Sequence, residues 1–304
     1  MEPGNDPDLS DGTHIVAIWN PSSGSAPEES MLRDALGGAV ELVETTKDDP
    51  GGGQTEHAVK NGAEIVVACG GDGTVRACLA PLSRTATALG IVPLGTGNLL
   101  AGNLGIPTGL DACEGVGHGA ERHIDLGRVN GETFAVMAGS GFDALMIRDA
   151  NKKLKSIIGT AAYVLSAAKN LRAARVFTRV AVDGDKWFEG RSTMVLVGNF
   201  GEVSAGLEVF PDAEPDDGKL DVAVMSASTV REWASILWRL VRGRPQRIDL
   251  ARRTQGSSIV VEHDTPRPYE LDGEDRDPTT RLEFSIEPGA LIIHHASQPK
   301  GNAE

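Results

Sequence analysis

Apolar runs that stop in glycine recur through the first hundred residues, and this restricts the fold more than any other feature. "IVVACG" runs into Gly70-Gly71-Asp72-Gly73-Thr74, after which Val75, Leu79 and Leu82 fall at helical spacing. "ALGIVPLGTGN" ends in Gly95-Thr96-Gly97-Asn98 ahead of "LLAGNLGI". "HIVAIW" ends in Asn20-Pro21-Ser22-Ser23-Gly24 ahead of a helix over "PEESMLRDALGG". A second strand, "AVELVETT", a loop, "DDPGGGQ", and a helix through "TEHAVKNGA" fill the interval. Strands alternating with helices imply a parallel sheet covered on both faces. Glycine weakens helix and strand alike, so its concentration at these junctions needs a reason. Ligands of open α/β sheets bind at the carboxyl ends of strands, where bare N–H groups and a helix N-terminus favour an anion. Three such turns on one rim predict a phosphate-bearing ligand. The plain alternative is three tight connections that need positive φ.

The texture changes near residue 125. "HIDLGRVNGETFAVMAGSGFDA" holds two short runs around a hairpin-like Asn130-Gly131, and "RVAVDGDKWFEG" reads as a hairpin with an Asp183-Gly184 turn. "STMVLVGN", "KLDVAVM", "SSIVVEH" and "RLEFSIE" are further strands not separated by helices, which predicts an antiparallel, sandwich-like domain. Two helices interrupt it. One carries the stripe Leu154, Ile157, Ile158, Ala161, Val164, Leu165, Ala168 and Leu171; the other, over 230–242, starts at the capping box Thr229-x-x-Glu232 and stops at Gly243 and Pro245. The expected division is a disordered tail over 1–12, an α/β domain over 13–124 and a β-rich domain over 125–287, with a segment at 288–297 returning to the first domain.

Composition removes several function classes. A net charge of -14 argues against nucleic acid as a partner, because phosphate contacts need concentrated Lys and Arg. Cys69, Cys78 and Cys113 have no paired or metal-type spacing and read as packing residues of a reduced, cytoplasmic protein. The start "MEPGNDPDLSDGT" is the opposite of a signal peptide, and no apolar window is long enough to span a bilayer. Any membrane contact is therefore expected to be peripheral. No G-x-x-x-x-G-K-[ST], G-x-G-x-x-G, G-x-S-x-G or H-E-x-x-H occurs.

"NPSSG", "GGDGTV" and "LGIVPLGTGNLLAGNLGIP", in that order, resemble the catalytic domain of the diacylglycerol kinase family. That family includes bacterial lipid kinases and sphingosine kinases and is related to the NAD kinases. The likeness continues through "IDLGRVNG", "GSGFDA", "FPDAEPDDGKLDV" and "YELDGE", covering residues 14–295. It implies an NAD kinase/diacylglycerol kinase-like fold, a three-layer α/β domain with a mostly parallel sheet joined to a β-sandwich domain, with ATP in the cleft between them. By the resemblance, Gly70, Gly71, Asp72, Gly73, Thr74, Val75 and Arg76 form the nucleotide loop. Thr46 and Thr96 are further ATP contacts, Asn20 shapes the neighbouring turn, and Gly95, Gly97 and Asn98 build the second glycine turn. Asp72 organises the nucleotide and its Mg²⁺, and Asp143 joins the magnesium network. Glu274 is the implied general base with Asp272 beside it. A structural magnesium site is implied at the Asp217 carboxylate and the carbonyls of Glu214 and Lys219.

The residue types suit that chemistry. Phosphoryl transfer is mostly positioning and charge neutralisation, so it needs a cation, backbone N–H groups and one base. An aspartate in a glycine cradle approaches phosphates only through a cation, so Asp72 implies Mg²⁺. Asp272 and Glu274 alternate in what reads as an extended segment, so their side chains are expected to point the same way; a plain Asp-Gly surface turn is the alternative. Two departures stand out. Leu99 occupies a position where many relatives carry Asp, and Ser22 and Ser25 lie where relatives often have Lys.

The expected activity is phosphorylation of the hydroxyl of diacylglycerol to phosphatidic acid. A sphingoid base or another lipid alcohol, NAD, and a non-catalytic nucleotide or lipid sensor are the alternatives. The partner is a lipid at a membrane surface, and homodimerisation is left open. Trp233, Ile236, Leu237, Leu240 and Val241 share a face of the helix over 230–242, with Arg231, Arg239, Arg242 and Arg244 nearby. That stripe suits either an anionic membrane or packing on the β-rich domain.

Overall fold

Runs rich in β-branched residues with no polar alternation demand strands covered on both faces. The computed structural model, which describes residues 13–37, 40–116, 119–141, 175–204, 207–227, 232 and 251–295, forms them in its first half. These are β1 (Ile15–Trp19), β2 (Glu41–Glu44), β3 (Ile65–Gly70) and β4 (Ala88–Pro93), in the order β4-β3-β1-β2 and all parallel. Every residue of β1, β3 and β4 is buried. Because these three strands are neighbours, Trp19 lies beside Cys69 and Gly70 beside Pro93. Their carboxyl ends therefore form one rim.

Helices α1 (Glu29–Ala35), α2 (Gly52–Lys60), α3 (Asp72–Leu82) and α4 (Leu99–Asn103) connect or follow the strands. Two begin earlier than their apolar stripes suggest. The glycine run read as a loop is the first turn of α2, because the Asp49 carboxylate accepts the N–H of Gly51 and of Gly53 at 3.1 and 3.0 Å. Gly51 has φ +138, and a Cβ there would lie 3.2 Å from Ile18, so only glycine enters the helix this way. Likewise α3 starts at Asp72, ahead of the apolar stripe that begins at Val75. A 3₁₀ helix over Gly109–Gly115, not anticipated from the sequence, adds Ala112 and Cys113 to the core. Cys69, Cys78 and Cys113 are all free and buried, and burial pushes the Cys78 thiol up to about 12.

The described chain divides into two compact units, one of residues up to Ile124 together with those from Gly289 onward, the other Asp125–Pro288. The second contains β5 (Ala120–Val129, from Asp125 on), β6 (Glu132–Phe134), β7 (Met137–Ser140), β8 (Val176–Val182), β9 (Asp185–Ser192) and β10 (Met194–Gly198). It continues with β11 (Glu202–Ser204), β12 (Leu207–Glu208), β13 (Leu220–Met225), β14 (Ala251–Gly256), β15 (Ser258–Leu271) and β16 (Glu274–His295, up to Pro288). The antiparallel order is β14-β13-β10-β7-β15-β16; β8 also pairs with β15, and β9 with β8. β15 and β16 run to 14 and 22 residues, well beyond the short strands expected. Pro266 and Pro268, which lack an N–H for the ladder, sit where the β15–β16 register shifts.

Two hairpins close as read, with both turn residues at positive φ: Asn130-Gly131 at 49 and 88, Asp183-Gly184 at 51 and 87. A third, Asp272-Gly273 at 43 and 85, has the same form. The core is mainly aliphatic and includes Phe134 and Phe284, whose rings meet edge-on at 6.4 Å. The final residues of β16 run parallel to β4, with Ile293 beside Leu89 in the first unit. The expected tail over 1–12, the helix through 154–171 and the helix over 230–242 lie outside the described residues.

Candidate functional site

Strand order brings the three glycine-bearing turns together, and hydrogen bonds then lock them. Asn20 donates its backbone N–H to the Cys69 carbonyl at 2.9 Å and its side-chain amide to Thr74 Oγ1 at 3.3 Å. Its Oδ1 accepts the Ser22 N–H at 3.0 Å. Ser25 reaches the third turn, donating its N–H and hydroxyl to the Leu94 carbonyl at 3.2 and 2.9 Å. The Leu94 N–H in turn bonds the Gly70 carbonyl at 2.8 Å.

The second and third turns are in van der Waals contact through bare backbone. A Cβ on Gly95 would sit 2.6 Å from the Gly71 Cα, and one on Gly70 would sit 2.5 Å from Thr74 Oγ1. Asn98 takes the left-handed conformation at φ 51, and its side chain bridges both backbone groups of Gly95 at 3.0 Å. Thr74 and Val75 turn their side chains into the core, and their N–H groups donate to the Gly71 carbonyl at 3.0 and 3.1 Å, whereas Thr96 and Gly97 are exposed. The first N–H groups of α3 have no acceptor within the helix, and its dipole favours negative charge at that end. Arg76 lies one turn into the same helix. Thr46 follows β2 on the same carboxyl edge, its hydroxyl accepting the Asp49 N–H at 3.1 Å, beside a groove of about 410 Å³ lined also by Gln54, His57 and Asn61.

Asp72 departs from expectation. Its Oδ2 accepts the Asn98 N–H at 2.8 Å and its Oδ1 the Leu99 N–H at 2.6 Å. The carboxylate faces the Gly95–Asn98 turn and is compensated there by amides. Burial pushes its carboxyl up from the ordinary value, while the Leu99 and Asn98 amides pull it back.

In the second unit the expectation of parallel-pointing carboxylates at Asp272 and Glu274 fails. Asp272 belongs to a tight hairpin turn, not an extended segment, and is 6% exposed. Its carboxylate accepts the N–H groups of Ala135, Val136 and Met137 at 2.8, 2.9 and 3.0 Å. Glu274 begins β16 opposite Leu271, with Oε2 3.4 Å from Arg276 Nη1. Arg276 is held chiefly by Glu132, its Nε and Nη2 donating at 3.0 and 2.7 Å. Asp272 thus anchors the turn that presents Glu274.

The loop through Glu214, Asp217 and Lys219 is organised by Asp125, a buried residue that sequence reading missed. Asp125 Oδ2 accepts the Gly218 N–H and its own N–H bonds the Pro215 carbonyl, both at 2.7 Å. Asp217 Oδ1 accepts the Lys219 N–H at 2.9 Å, and Lys219 Nζ lies 3.8 Å from Oδ2. Among the described residues no group of three or more His, Cys, Asp or Glu is placed to hold a metal. Asp143 lies outside the described residues.

Two further buried groups escaped notice. Glu270 is 4% exposed, and burial with Asp275 and Asp272 nearby pushes its carboxyl up to about 8. His263 bridges Ser140 Oγ at 2.7 Å and Thr178 Oγ1 at 3.0 Å, and burial with Arg267 nearby lowers it to about 4. The signal for Asp125 and Glu270 was present: each is an acid inside an apolar run, "IDLGRV" and "YEL".

Comparison with known proteins places this geometry in context. Residues 14–129 match the diacylglycerol kinase catalytic domain and residues 136–295 the YegS C-terminal NAD kinase beta sandwich-like domain. The chain is 32% identical over 269 residues to "Diacylglycerol kinase" of Bacillus subtilis, covering 84% of this chain and 88% of that one. A crystal structure of a diacylglycerol kinase from Bacillus anthracis is similar with a TM-score of 0.73 at 19% identity, covering 93% and 97%. An NAD kinase from Archaeoglobus fulgidus, solved in complex with ATP, is similar in fold with a TM-score of 0.54 at 14% identity, covering 93% and 94%.

Proposed function

Because the chain belongs to the diacylglycerol kinase family of lipid kinases, we propose that it transfers the γ-phosphoryl group of ATP to the hydroxyl of diacylglycerol, giving phosphatidic acid. The observation that carries this reading is the interlocked set of turns at Asn20, Gly70–Thr74 and Gly95–Asn98 on one strand rim, heading α3. Backbone amides there bind and orient a phosphate chain, with Arg76 and Thr96 as further donors and Thr46 toward the nucleoside. Glu274 receives the proton of the acceptor hydroxyl at its carboxylate, and Asp272 fixes the turn that carries it.

Mg²⁺ bound with the nucleotide would neutralise charge on the phosphates. A structural magnesium ion would be held by the Asp217 carboxylate and the carbonyls of Glu214 and Lys219, whose hard oxygens would supply its ligands. Among the described residues no helix is long and apolar enough to cross a membrane. The lipid contact proposed here is peripheral.

A labelled-ATP transfer assay over diacylglycerol, a sphingoid base and NAD tests the proposal. Labelled phosphatidic acid is expected, with kcat reduced by about 10²–10⁴-fold in Glu274→Ala. Transfer to NAD and to no lipid, or an unchanged rate in Glu274→Ala, overturns it.

A further inference from the structure

The "GGDGT" aspartate has partners that its motif does not suggest. Three observations bear on it. Both oxygens of Asp72 are engaged by amides that lie 26 and 27 residues further along the chain, at 2.8 and 2.6 Å. Gly97 leaves space for that carboxylate: a Cβ at Gly97 would lie 2.4 Å from Asp72 Oδ2. Gly71 and Gly95 then meet backbone to backbone, where a Cβ on Gly71 would come within 3.2 Å of the Gly95 Cα.

These contacts converge on one mechanical result. The third turn has no regular structure of its own, being held by Asn98 within the turn and by Asp72 and the Leu94–Gly70 bond from the second. Asp72 is also the first residue of α3, where the helix end already compensates a negative charge. Charge-assisted bonds to backbone N–H groups are among the stronger kinds. A cation at this carboxylate would have to compete with both amides and with the helix end.

We propose that Asp72 is a positioning residue, a latch that holds the Gly95–Asn98 turn against the Gly70–Thr74 turn so that both present amides to one phosphate chain, and that it does not ligate the nucleotide's metal. The proposal rests on the nucleotide reading above. Leu99 fits the same arrangement, since the latch uses its N–H and asks nothing of its side chain. Gly97 belongs to the latch as the residue whose lack of a side chain admits the carboxylate.

ATP binding measured by calorimetry, once with Mg²⁺ and once in EDTA, separates a latch from a ligand. Asp72→Asn and Gly97→Ala are each expected to weaken ATP binding by roughly 10- to 100-fold in both conditions. The ratio of the two affinities stays within about twofold of wild type, and the double variant is no worse than the weaker single one. Gly97→Ala keeps the carboxylate and displaces it, so it reports on the latch even where Asp72→Asn folds poorly. Three outcomes overturn the proposal: an Asp72→Asn defect confined to the Mg²⁺ condition, fully additive effects, or no effect of either substitution. A wild-type protein that binds no ATP in either condition defeats the nucleotide reading instead.

Discussion

Replacing Glu270 with Gln should make the protein more stable at neutral pH, and increasingly so as the pH rises. The carboxyl is 4% exposed; Asp275 lies directly across the β15–β16 ladder and Asp272 two residues along. Its pKa is raised from an ordinary 4.5 to about 8. Between those values the folded protein holds a proton that the unfolded chain has released, so raising the pH favours unfolding. The stability associated with the neutral carboxyl is complete below pH 4.5 and is lost as the pH rises through 8. At about 1.36 kcal/mol per unit, the loss is roughly 3 kcal/mol at pH 7 and about 5 kcal/mol above pH 8. Glutamine has nearly the same shape and cannot ionise. Urea unfolding of both proteins at several values from pH 5 to 9 measures the difference directly, because every other titrating group is common to the pair. The two stabilities should nearly coincide at pH 5 and separate by several kcal/mol at pH 8. A constant difference across that range would refute the reasoning.

The opposite sign is expected at His263. Its pKa is lowered from 6.5 to about 4, so stability is complete above pH 6.5 and falls as the pH drops through 4, by up to about 3 kcal/mol; His263→Gln should flatten that limb in acid unfolding curves. Asp272→Ala leaves the N–H groups of Ala135, Val136 and Met137 buried without their acceptor, at about 1–3 kcal/mol each. It should lower the melting temperature and reduce kcat more than the KM for ATP. Phe134→Ala removes a fully buried ring from the Phe284 pair and should cost about 3–5 kcal/mol in denaturant unfolding. Gly51→Ala puts a side chain where φ is +138 and Ile18 is 3.2 Å away, so it should destabilise by about 1–3 kcal/mol.

What was legible in the sequence is what local physics decides. A run such as "IVVACG" has one stable use, a strand buried on both faces, and β3 is that strand. Asn130-Gly131 and Asp183-Gly184 both occupy the positive-φ turns that their residue types favour. The start of α2 was less legible, because it depends on whether Asp49 folds back onto Gly51 and Gly53, which composition alone does not decide. The length of β15 and β16 was hidden by prolines, which the ladder accommodates by shifting register.

The amide partners of the two motif aspartates were hidden for one shared reason. Asp72 and Asp272 each precede a glycine, and in each case the sequence places a carboxylate where chemistry is expected. Their partners, however, are backbone amides distant in sequence: Asn98 and Leu99 for the first, Ala135 to Met137 for the second. Every residue type except proline supplies that N–H, so no sequence pattern betrays such a contact. The consequence is mechanical. Glycine makes a turn close enough to a ligand and also too pliable to hold its shape, and a buried carboxylate that collects several amides restores the rigidity that glycine gives up. On this argument the negative charge at Asp72 serves geometry, and substitutions there should act on where the phosphate-binding amides sit before they act on any ion.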